Sequence, residues 1–152
     1  MQIGVISDTH GLTRPEALSA LQGSDLLLHA GDIGSPEVLT RLQSISTVVA
    51  IRGNVDRGQW ASQLPEQTVV AVNRSRLYLI HNVNDFQGDL RRDRYHVIIS
   101  GHSHKPSIRE RDGVLFLNPG SAGPRRFKLP VAVAKIHIDG TNVRSEVIEL
   151  GR

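Results

Sequence analysis

The chain has 152 residues, about the length of one ordinary domain, and 39% of them are apolar, which is enough for a folded core. It has no cysteine, so disulfides and thiolate metal ligands are excluded. The net charge of +3 is small, and the six aromatic residues offer no obvious base-stacking platform, so nucleic acid is not the expected partner. Neither a signal-peptide pattern nor an apolar run of roughly 20 residues is present. We therefore expect a single domain over residues 1–152 that is soluble, cytoplasmic and without a membrane partner.

The first part of the chain alternates strand and helix patterns. Strands are predicted over Gln2–Ser7, Asp25–Ala30 and Thr47–Ile51, where apolar residues run almost without interruption. Helices are predicted over Arg14–Gln22 and Pro36–Gln43, where apolar residues recur at helical spacing and a proline lies near each start. This βαβαβ order predicts a parallel sheet with right-handed crossovers.

The second part of the chain is richer in strands. Gln67–Val72 and Arg76–Ile80 flank a turn and predict a hairpin. The last two segments alternate apolar and polar residues and follow turn dipeptides, which indicates an antiparallel portion. The remaining predicted strands are Val97–Ser100, Val114–Leu117, Val131–Ile138 and Asn142–Leu150.

Side chains that can bind metal ions follow five of the predicted strands. In parallel α/β sheets, ligands bind beyond the carboxyl ends of the strands, so side chains distant in sequence can converge there. Glycine precedes three of these positions, which permits tight turns and close backbone approach to a ligand. The candidate metal ligands are Asp8, His10, Asp32, Asn54, His81, His102 and His104.

The number and type of these ligands predict two metal ions. Two carboxylates, one amide and four imidazoles are too many for one tetrahedral ion, but two ions about 3.5–4 Å apart that share a carboxylate would use them all. Mixed nitrogen and oxygen ligands disfavour calcium and magnesium and suit manganese, zinc, iron, nickel or cobalt. We expect two divalent transition-metal ions per chain and take manganese as the first expectation.

A paired metal site has a defined use in phosphoester cleavage. One ion lowers the pKa of a bound water so that hydroxide exists near neutral pH, and both ions neutralise charge on the phosphoryl oxygens. No serine or cysteine nucleophile is then needed. Fifteen of the 18 basic residues are arginine, whose planar fork matches phosphate oxygens. These features predict hydrolysis of a small phosphodiester or phosphomonoester by a metal-bound hydroxide.

The five blocks of ligands, written D-x-H, G-D, G-N, H and G-H-x-H, resemble the calcineurin-like metallophosphoesterase superfamily. The resemblance covers nearly the whole chain and is closest to the small single-domain phosphodiesterases of bacteria and archaea, which share the later segment Asn118–Ser121. It implies an α/β fold of two packed mixed β-sheets flanked by helices, a four-layer sandwich. It also implies a hydrolase that acts on phosphoric ester bonds.

The resemblance assigns the ligands to two ions. Asp32 would bridge both ions, and Asp32, Asn54 and His102 would form the catalytic group. The first ion would be held by Asp8, His10, Asp32 and His104, and the second by Asp32, Asn54, His81 and His102.

Three departures from the family pattern concern the rim of the site. Many members have a histidine directly after the asparagine, where it meets the substrate phosphate or the leaving group, but here that residue is Val55. Valine cannot donate a proton, so we expect the leaving group to affect the rate strongly. Asn82 stands where the family often has glycine, and the stretch from Asn82 to Tyr95 is short.

Several roles stay open at this stage. Arg125 and Arg126 follow the Asn118–Ser121 segment and are candidates for substrate-phosphate binding. His29 lies in an apolar strand, either as a core residue or as a support near Asp32. The alternative function is a protein-binding scaffold, because a eukaryotic trafficking subunit of similar fold has an altered metal site. A nuclease is a third reading that no basic groove supports, and a homo-oligomer stays open.

Overall fold

The structure is a computed structural model that describes residues 1–126 and 128–151. Its first sheet has five strands. The strands β1 (Gln2–Ile6), β2 (Leu26–His29) and β3 (Val48–Ala50) are parallel to one another, whereas β9 (Ala132–Asp139) is antiparallel to both β1 and β10 (Asn142–Glu149). The predicted parallel βαβαβ unit and the antiparallel final segments are therefore confirmed. The spatial order of this sheet is β10 (Asn142–Glu149), β9 (Ala132–Asp139), β1 (Gln2–Ile6), β2 (Leu26–His29) and β3 (Val48–Ala50).

The second sheet also has five strands and is mixed. Its three central strands are parallel, and an antiparallel strand closes each edge. The predicted hairpin is confirmed, with Val72 paired to Ser75 across a two-residue turn. The spatial order is β4 (Gln67–Val72), β5 (Ser75–Ile80), β6 (Val97–Ile99), β8 (Val114–Asn118) and β7 (Ser107–Arg111).

Two helices cover the outer face of the first sheet. Their apolar residues pack on that sheet as the helical spacing predicts, whereas Ser35, which precedes the second of these helices, makes no capping hydrogen bond through its side chain. No helix in the described ranges is long and apolar enough to cross a membrane. The helices are α1 (Pro15–Leu21), α2 (Pro36–Gln43), α3 (Gln59–Ser62) and α4 (Leu90–Asp93), with a 3-10 turn at Val83–Asp85.

The main core lies between the two sheets. Ile3, Val5 and Leu28 of the first sheet are fully buried against Leu77 and Leu79 of the second. Because helices cover the other face of the first sheet, β1 and β2 are buried on both faces, which explains their continuous apolar runs.

The outer face of the second sheet carries a thin fourth layer. Tyr78 packs edge-on against Phe86 and Tyr95, with ring centroids 4.9 Å apart in both pairs. These rings and the short helical turns near them cover Ile80 and Ile98. The four-layer sandwich is therefore confirmed, with a fourth layer that consists mainly of the short stretch that follows His81.

Strand β7 and helices α3 and α4 were not predicted from the sequence. Each of these helices has only four residues, too few to show a helical period. Strand β7 reads Ser-Ile-Arg-Glu-Arg, and most of its residues are exposed because it forms an edge of the second sheet. An exposed edge strand needs no buried apolar face, so the alternating pattern is missing.

Candidate metal centre

The turns that follow β1 and β2 lie side by side. The Asp8 amide donates to the Gly31 carbonyl at 3.0 Å, and the His10 amide donates to the Asp32 carbonyl at 3.0 Å. The turn after β6 reaches them from the other sheet, because the His102 amide donates to Asp8 Oδ2 at 3.1 Å. The carboxyl ends of parallel strands from both sheets therefore meet at one edge of the sandwich.

Five of the seven candidate ligands have left-handed backbone conformations. Such conformations cost a non-glycine residue on the order of 1–3 kcal/mol, although aspartate and histidine tolerate them better than most residues. Only three other non-glycine residues with positive φ occur in the described ranges. The concentration of left-handed residues among the candidate ligands shows that the surrounding contacts hold the chain in these turns. The φ angles are 56° for Asp8, 47° for His10, 55° for Asp32, 72° for His102 and 63° for His104.

Two buried carboxylates stand at the centre of the cluster. Asp8 Oδ1 lies 3.3 Å from Nε2 of His104 and 3.9 Å from Nε2 of both His10 and His81. Asp32 Oδ2 lies 3.2 Å from His81 Nε2 and 3.9 Å from His10 Nε2. Oxygens of Asp8 and Asp32 thus reach histidines from both proposed ion sets.

Several atoms at the centre of this cluster lack a hydrogen-bond partner within the described part of the chain. They include Asp8 Oδ1, His10 Nε2 and His81 Nε2, which are all buried. A buried polar atom without a hydrogen-bond partner costs about 1–3 kcal/mol, so these atoms are suited to bind a further group. Two groups of side chains have ligand atoms close enough to hold an ion, Asp8 with His10 and His104, and Asp8 with Asp32 and His81. Carboxylate oxygens and imidazole nitrogens fit divalent transition metals.

The remaining atoms of the same side chains are held by hydrogen bonds. Asp8 Oδ2 accepts from the Ser7 hydroxyl at 2.7 Å, and Asp32 Oδ1 accepts from the Val55 amide at 3.1 Å. His81 Nδ1 donates to the Ala30 carbonyl at 2.7 Å, because a carbonyl can only accept. That bond sets the tautomer and leaves Nε2 available as a ligand.

Asn54 and His102 lie beside His81 in a shared cleft. Both residues are exposed, in contrast to the buried carboxylates. The rings of His81 and His102 are 5.2 Å apart, and those of His10 and His104 are 5.3 Å apart. The histidine rings therefore lie as two adjacent pairs beside the carboxylates.

Burial and charge act against each other on the ionisable groups. Burial raises the pKa of Asp8, and the Ser7 hydrogen bond with the charges of His81 and His104 only partly opposes it. For Asp32, burial also favours the neutral form. Its contacts with His81 and with the Val55 amide outweigh burial and lower the pKa of the carboxyl group. Burial lowers the pKa of His104, and the positive charge of Arg126 adds to this effect against the opposing charge of Asp8.

Asp56 is a supporting residue that the sequence interpretation missed. Its buried carboxylate accepts from the amides of Ile33 at 3.1 Å, Gly34 at 2.9 Å and Gly53 at 2.8 Å. These bonds join the turn that carries Asp32 to the turn after β3. The only signal in the sequence was a charged residue close to a candidate ligand, which does not reveal what it contacts.

His29 is both a core residue and a support for the site. Its Nδ1 accepts from the Gly31 amide at 3.1 Å, so its Nε2 carries the proton that it donates to the Thr9 hydroxyl at 3.0 Å. Thr9 in turn donates to the Ile33 carbonyl at 2.8 Å. Burial lowers the pKa of His29 to about 3, so the ring is neutral at ordinary pH.

The Asn118–Ser121 segment supports two of the ligand turns. Asn118 Nδ2 donates to the Gly101 carbonyl at 2.9 Å and to the Ser103 hydroxyl at 3.1 Å. The Ser121 hydroxyl donates to the Asp8 carbonyl at 3.0 Å. These contacts across the fold give the segment a structural role at the site.

Two glycines of the ligand blocks are required by close approach. A Cβ at Gly53 would overlap Asp32 Oδ1, and a Cβ at Gly101 would overlap the Ser7 hydroxyl and Asp8 Oδ2. The predicted reason for these glycines, close backbone approach, therefore applies at both positions.

The two candidate phosphate-binding arginines lie in different surroundings. Arg126 is close enough to His104 for its charge to lower the pKa of that ring. Arg125 lines a separate surface cleft with Lys128 and Glu149. Sequence reasoning did not single out Arg52, which lines the cleft beside Asn54 and His102.

A family model and two archaeal relatives match this chain. Residues 1–141 match the calcineurin-like phosphoesterase superfamily domain. A probable metallophosphoesterase of Methanothermobacter thermautotrophicus is 39% identical, over 99% of this chain and 94% of its own length. A phosphodiesterase of Methanocaldococcus jannaschii is 25% identical, over 79% of this chain and 83% of its own.

The fold also matches a solved structure of Vps29 from Entamoeba histolytica complexed with zinc. The TM-score is 0.76 at 23% identity, and the match covers 99% of this chain and 100% of that one. The family match and the archaeal relative together show that the chain belongs to the calcineurin-like phosphoesterase superfamily.

Proposed function

We propose that this protein is an enzyme that hydrolyses phosphate esters at a centre of two divalent metal ions. The observation that carries the proposal is a group of buried atoms of Asp8, His10 and His81 that have no hydrogen-bond partner among the described residues and that lie beside Asp32. Family membership supports the same reading, since the archaeal relatives bear metallophosphoesterase and phosphodiesterase names.

The proposed ligand sets divide along the two pairs of histidines. When bound, the ions would make a water molecule more acidic and offset negative charge on the phosphoryl oxygens. We assign Asp32, Asn54 and His102 to the catalytic group, because Asp32 is central and the other two open onto the cleft. The first set is Asp8, His10, Asp32 and His104, and the second is Asp32, Asn54, His81 and His102.

The chain's own residues have separable tasks in this proposal. The Val55 amide orients Asp32, and the Ser7 hydroxyl orients Asp8. Of the two candidate arginines we assign Arg126 to the substrate phosphate, because Arg125 lines a separate surface cleft with Lys128 and Glu149. Val55 is 45% exposed, and its side chain can donate neither a proton nor a hydrogen bond to a leaving group.

A scaffold without catalysis is the alternative. It is supported by the likeness to Vps29, although at 23% identity that likeness concerns the fold alone. The intact set of carboxylates and imidazoles favours the enzyme, because a scaffold has no need to keep unpaired polar atoms buried together.

Metal loading of stripped protein tests the proposal. We expect manganese to saturate at about two ions per chain and to restore hydrolysis of bis-p-nitrophenyl phosphate or p-nitrophenyl phosphate. The same assays with zinc, iron, nickel and cobalt would identify the preferred metal. Saturation at one ion without hydrolysis of either ester would contradict the two-metal enzyme and favour the scaffold.

A further inference from the structure

A cleft of about 300 Å³ opens directly beside the proposed second ion site. Asn54, His81 and His102 are among the residues that line it. This volume lies at the small end of ligand pockets, which hold about 300–1,000 Å³. Since our proposed function places a phosphoryl group at the metal centre, one substituent of the ester would lie in this cleft. The inference below rests on that function.

Arg52 and Glu66 form a paired donor and acceptor on the wall of the cleft. Arg52 Nη2 lies 3.3 Å from Glu66 Oε1, and the Arg52 amide donates to the Pro65 carbonyl at 2.9 Å. The backbone bond holds the two side chains on facing segments. The Arg52 side chain is 33% exposed and that of Glu66 is 74% exposed, so a ligand can reach both. In the described ranges, Glu66 is the only side chain that accepts a hydrogen bond from the Arg52 guanidinium. Most N–H groups of Arg52 are therefore available to a ligand.

The rest of the cleft wall continues this mixture of donors and acceptors. Gln67 Oε1 accepts from the Tyr78 hydroxyl, which leaves the Gln67 amide group as a donor. Asp85 is an exposed acceptor on the same wall. No phenylalanine, tyrosine or tryptophan lines the cleft among the described residues, and its two rings are those of His81 and His102.

The wall chemistry discriminates among possible ester substituents. An anionic substituent would meet the carboxylates of Glu66 and Asp85. A nucleobase would find no phenylalanine, tyrosine or tryptophan ring to stack on, because the two rings in the lining, His81 and His102, belong to the proposed metal ligands. A hydroxyl group both donates and accepts, so two neighbouring hydroxyls can donate to Glu66 and accept from Arg52. We infer that the cleft receives a small hydroxylated substituent, of the glycerol or monosaccharide type, and that Arg52 and Glu66 determine this specificity.

Chromogenic phosphodiesters with one common leaving group test the inference. The manganese-loaded protein would be assayed with p-nitrophenyl glyceryl phosphate and with p-nitrophenyl propyl phosphate, which lacks the hydroxyls. We expect kcat/KM to favour the glyceryl ester by about tenfold or more, the factor that one hydrogen bond to a charged group can give. Arg52→Met and Glu66→Gln should each reduce this ratio towards one. A ratio measured on one preparation cancels differences in folding and metal content.

Matched controls are available at the opposite edge of the first sheet. Arg144 and Glu146 are exposed on β10, which lies at the edge farthest from β3 and Arg52. Arg144→Met and Glu146→Gln should keep the wild-type ratio. A wild-type ratio near one, or a ratio that neither cleft variant changes, would overturn the inference. So would a p-nitrophenyl deoxynucleotide ester that reacts faster than the glyceryl ester.

Failure of the proposed function would give a different result. If neither diester is hydrolysed with any metal, the enzyme reading fails, and the intact esters can then be titrated calorimetrically into the metal-loaded protein. Tighter binding of the glyceryl ester that is lost in Arg52→Met would support the cleft assignment without catalysis. Equal dissociation constants for the two esters would overturn it.

Discussion

The two regions that best reveal how this chain encodes its fold are the β9–β10 hairpin and the turns of the candidate metal centre. The hairpin pairs eight residues of each strand in register and closes with Gly140 at a φ of 65°. Its strands and its turn follow from local rules of alternation and turn chemistry. In the candidate metal centre, aspartates and histidines adopt left-handed conformations, and several buried atoms have no hydrogen-bond partner among residues 1–126 and 128–151.

The difference lies in the distance over which each region is stabilised. The site turns depend on hydrogen bonds from remote segments, with His102 and Ser121 both bound to Asp8 across 94 and 113 positions. Local conformational cost is accepted there because distant contacts hold the turn in place. Variants in the two regions should therefore behave differently.

The largest effect is expected for Asp32→Asn. Its Oδ2 lies between His10 and His81, and a neutral amide cannot offset the charge of two neighbouring cations. Impaired metal binding should remove several kcal/mol of transition-state stabilisation, which lowers the rate on the order of a thousandfold. The midpoint of thermal unfolding should change little. Steady-state kinetics at saturating manganese and thermal unfolding measure both quantities.

Asp112→Asn is the matched control for that variant. Asp112 also has a left-handed backbone, at a φ of 53°, but it lies in the exposed turn between β7 and β8. This variant should keep the wild-type rate. If Asp32→Asn retained most of its activity, the central role of that carboxylate would be wrong.

The next effect concerns the leaving group. Val55 stands where a histidine could assist departure of the alcohol, and general acids commonly contribute about 10²–10⁴-fold. Esters of acidic phenols should react well and simple alkyl esters poorly, so log rate should fall steeply with leaving-group pKa. Rates for a series of substituted phenyl and alkyl esters measure the slope, provided that chemistry limits the rate. A flat line would reveal a proton donor elsewhere in the site.

A smaller effect is expected for Asp56→Asn. The carboxylate binds three backbone amides of two site turns, and an amide side chain would turn donors towards some of them. Loss of such supporting bonds typically weakens metal affinity about 10–100-fold. Calorimetric metal titration measures the change, with Asp139→Asn at the exposed end of β9 as control. If Asp56→Asn lowered the free energy of unfolding but left the metal affinity unchanged, Asp56 would have only a structural role.

A further effect, on stability rather than on catalysis, is the pH dependence contributed by His29. Its pKa is about 3 in the folded protein and 6.5 in the unfolded chain, so the unfolded chain binds the additional proton between these values. The stability contributed by the neutral ring is complete above the unfolded pKa and is lost as pH falls towards the folded one. The slope due to this group approaches about 1.4 kcal/mol per pH unit.

His29→Gln should remove that slope in metal-free protein. Urea unfolding at several pH values between roughly 6 and 4 measures it as the change in the free energy of unfolding. His137→Gln on β9 gives the effect of removing a histidine from the hairpin. Equal slopes in His29→Gln and in the parent protein would show that the ring is not held neutral by burial.

Sequence patterns predicted the strands and the candidate ligands better than the contacts that support them. Continuous apolar runs and alternating patterns reflect which faces of a strand are buried, so the strands can be predicted from them. The candidate ligands can be identified because residue type alone shows which side chains can bind metal. The roles of Asp56 and Ser121 depend on which segments the fold brings together, and no local pattern reports that. Strand β7 was missed for the related reason that an exposed edge leaves no apolar signature.

The hydrogen bonds that link the two sheets at Asp8 also bear on the order of events during folding. Contacts that span about a hundred positions form late, because the chain must first close long loops. During synthesis, the complete set of contacts around Asp8 cannot exist until Ser121 has been made and the sheets have docked. We therefore expect tight metal capture in the final phase of refolding, after most of the secondary structure has formed. Stopped-flow dichroism together with a metal-sensitive dye would separate the two events, and simultaneous signals would contradict this order.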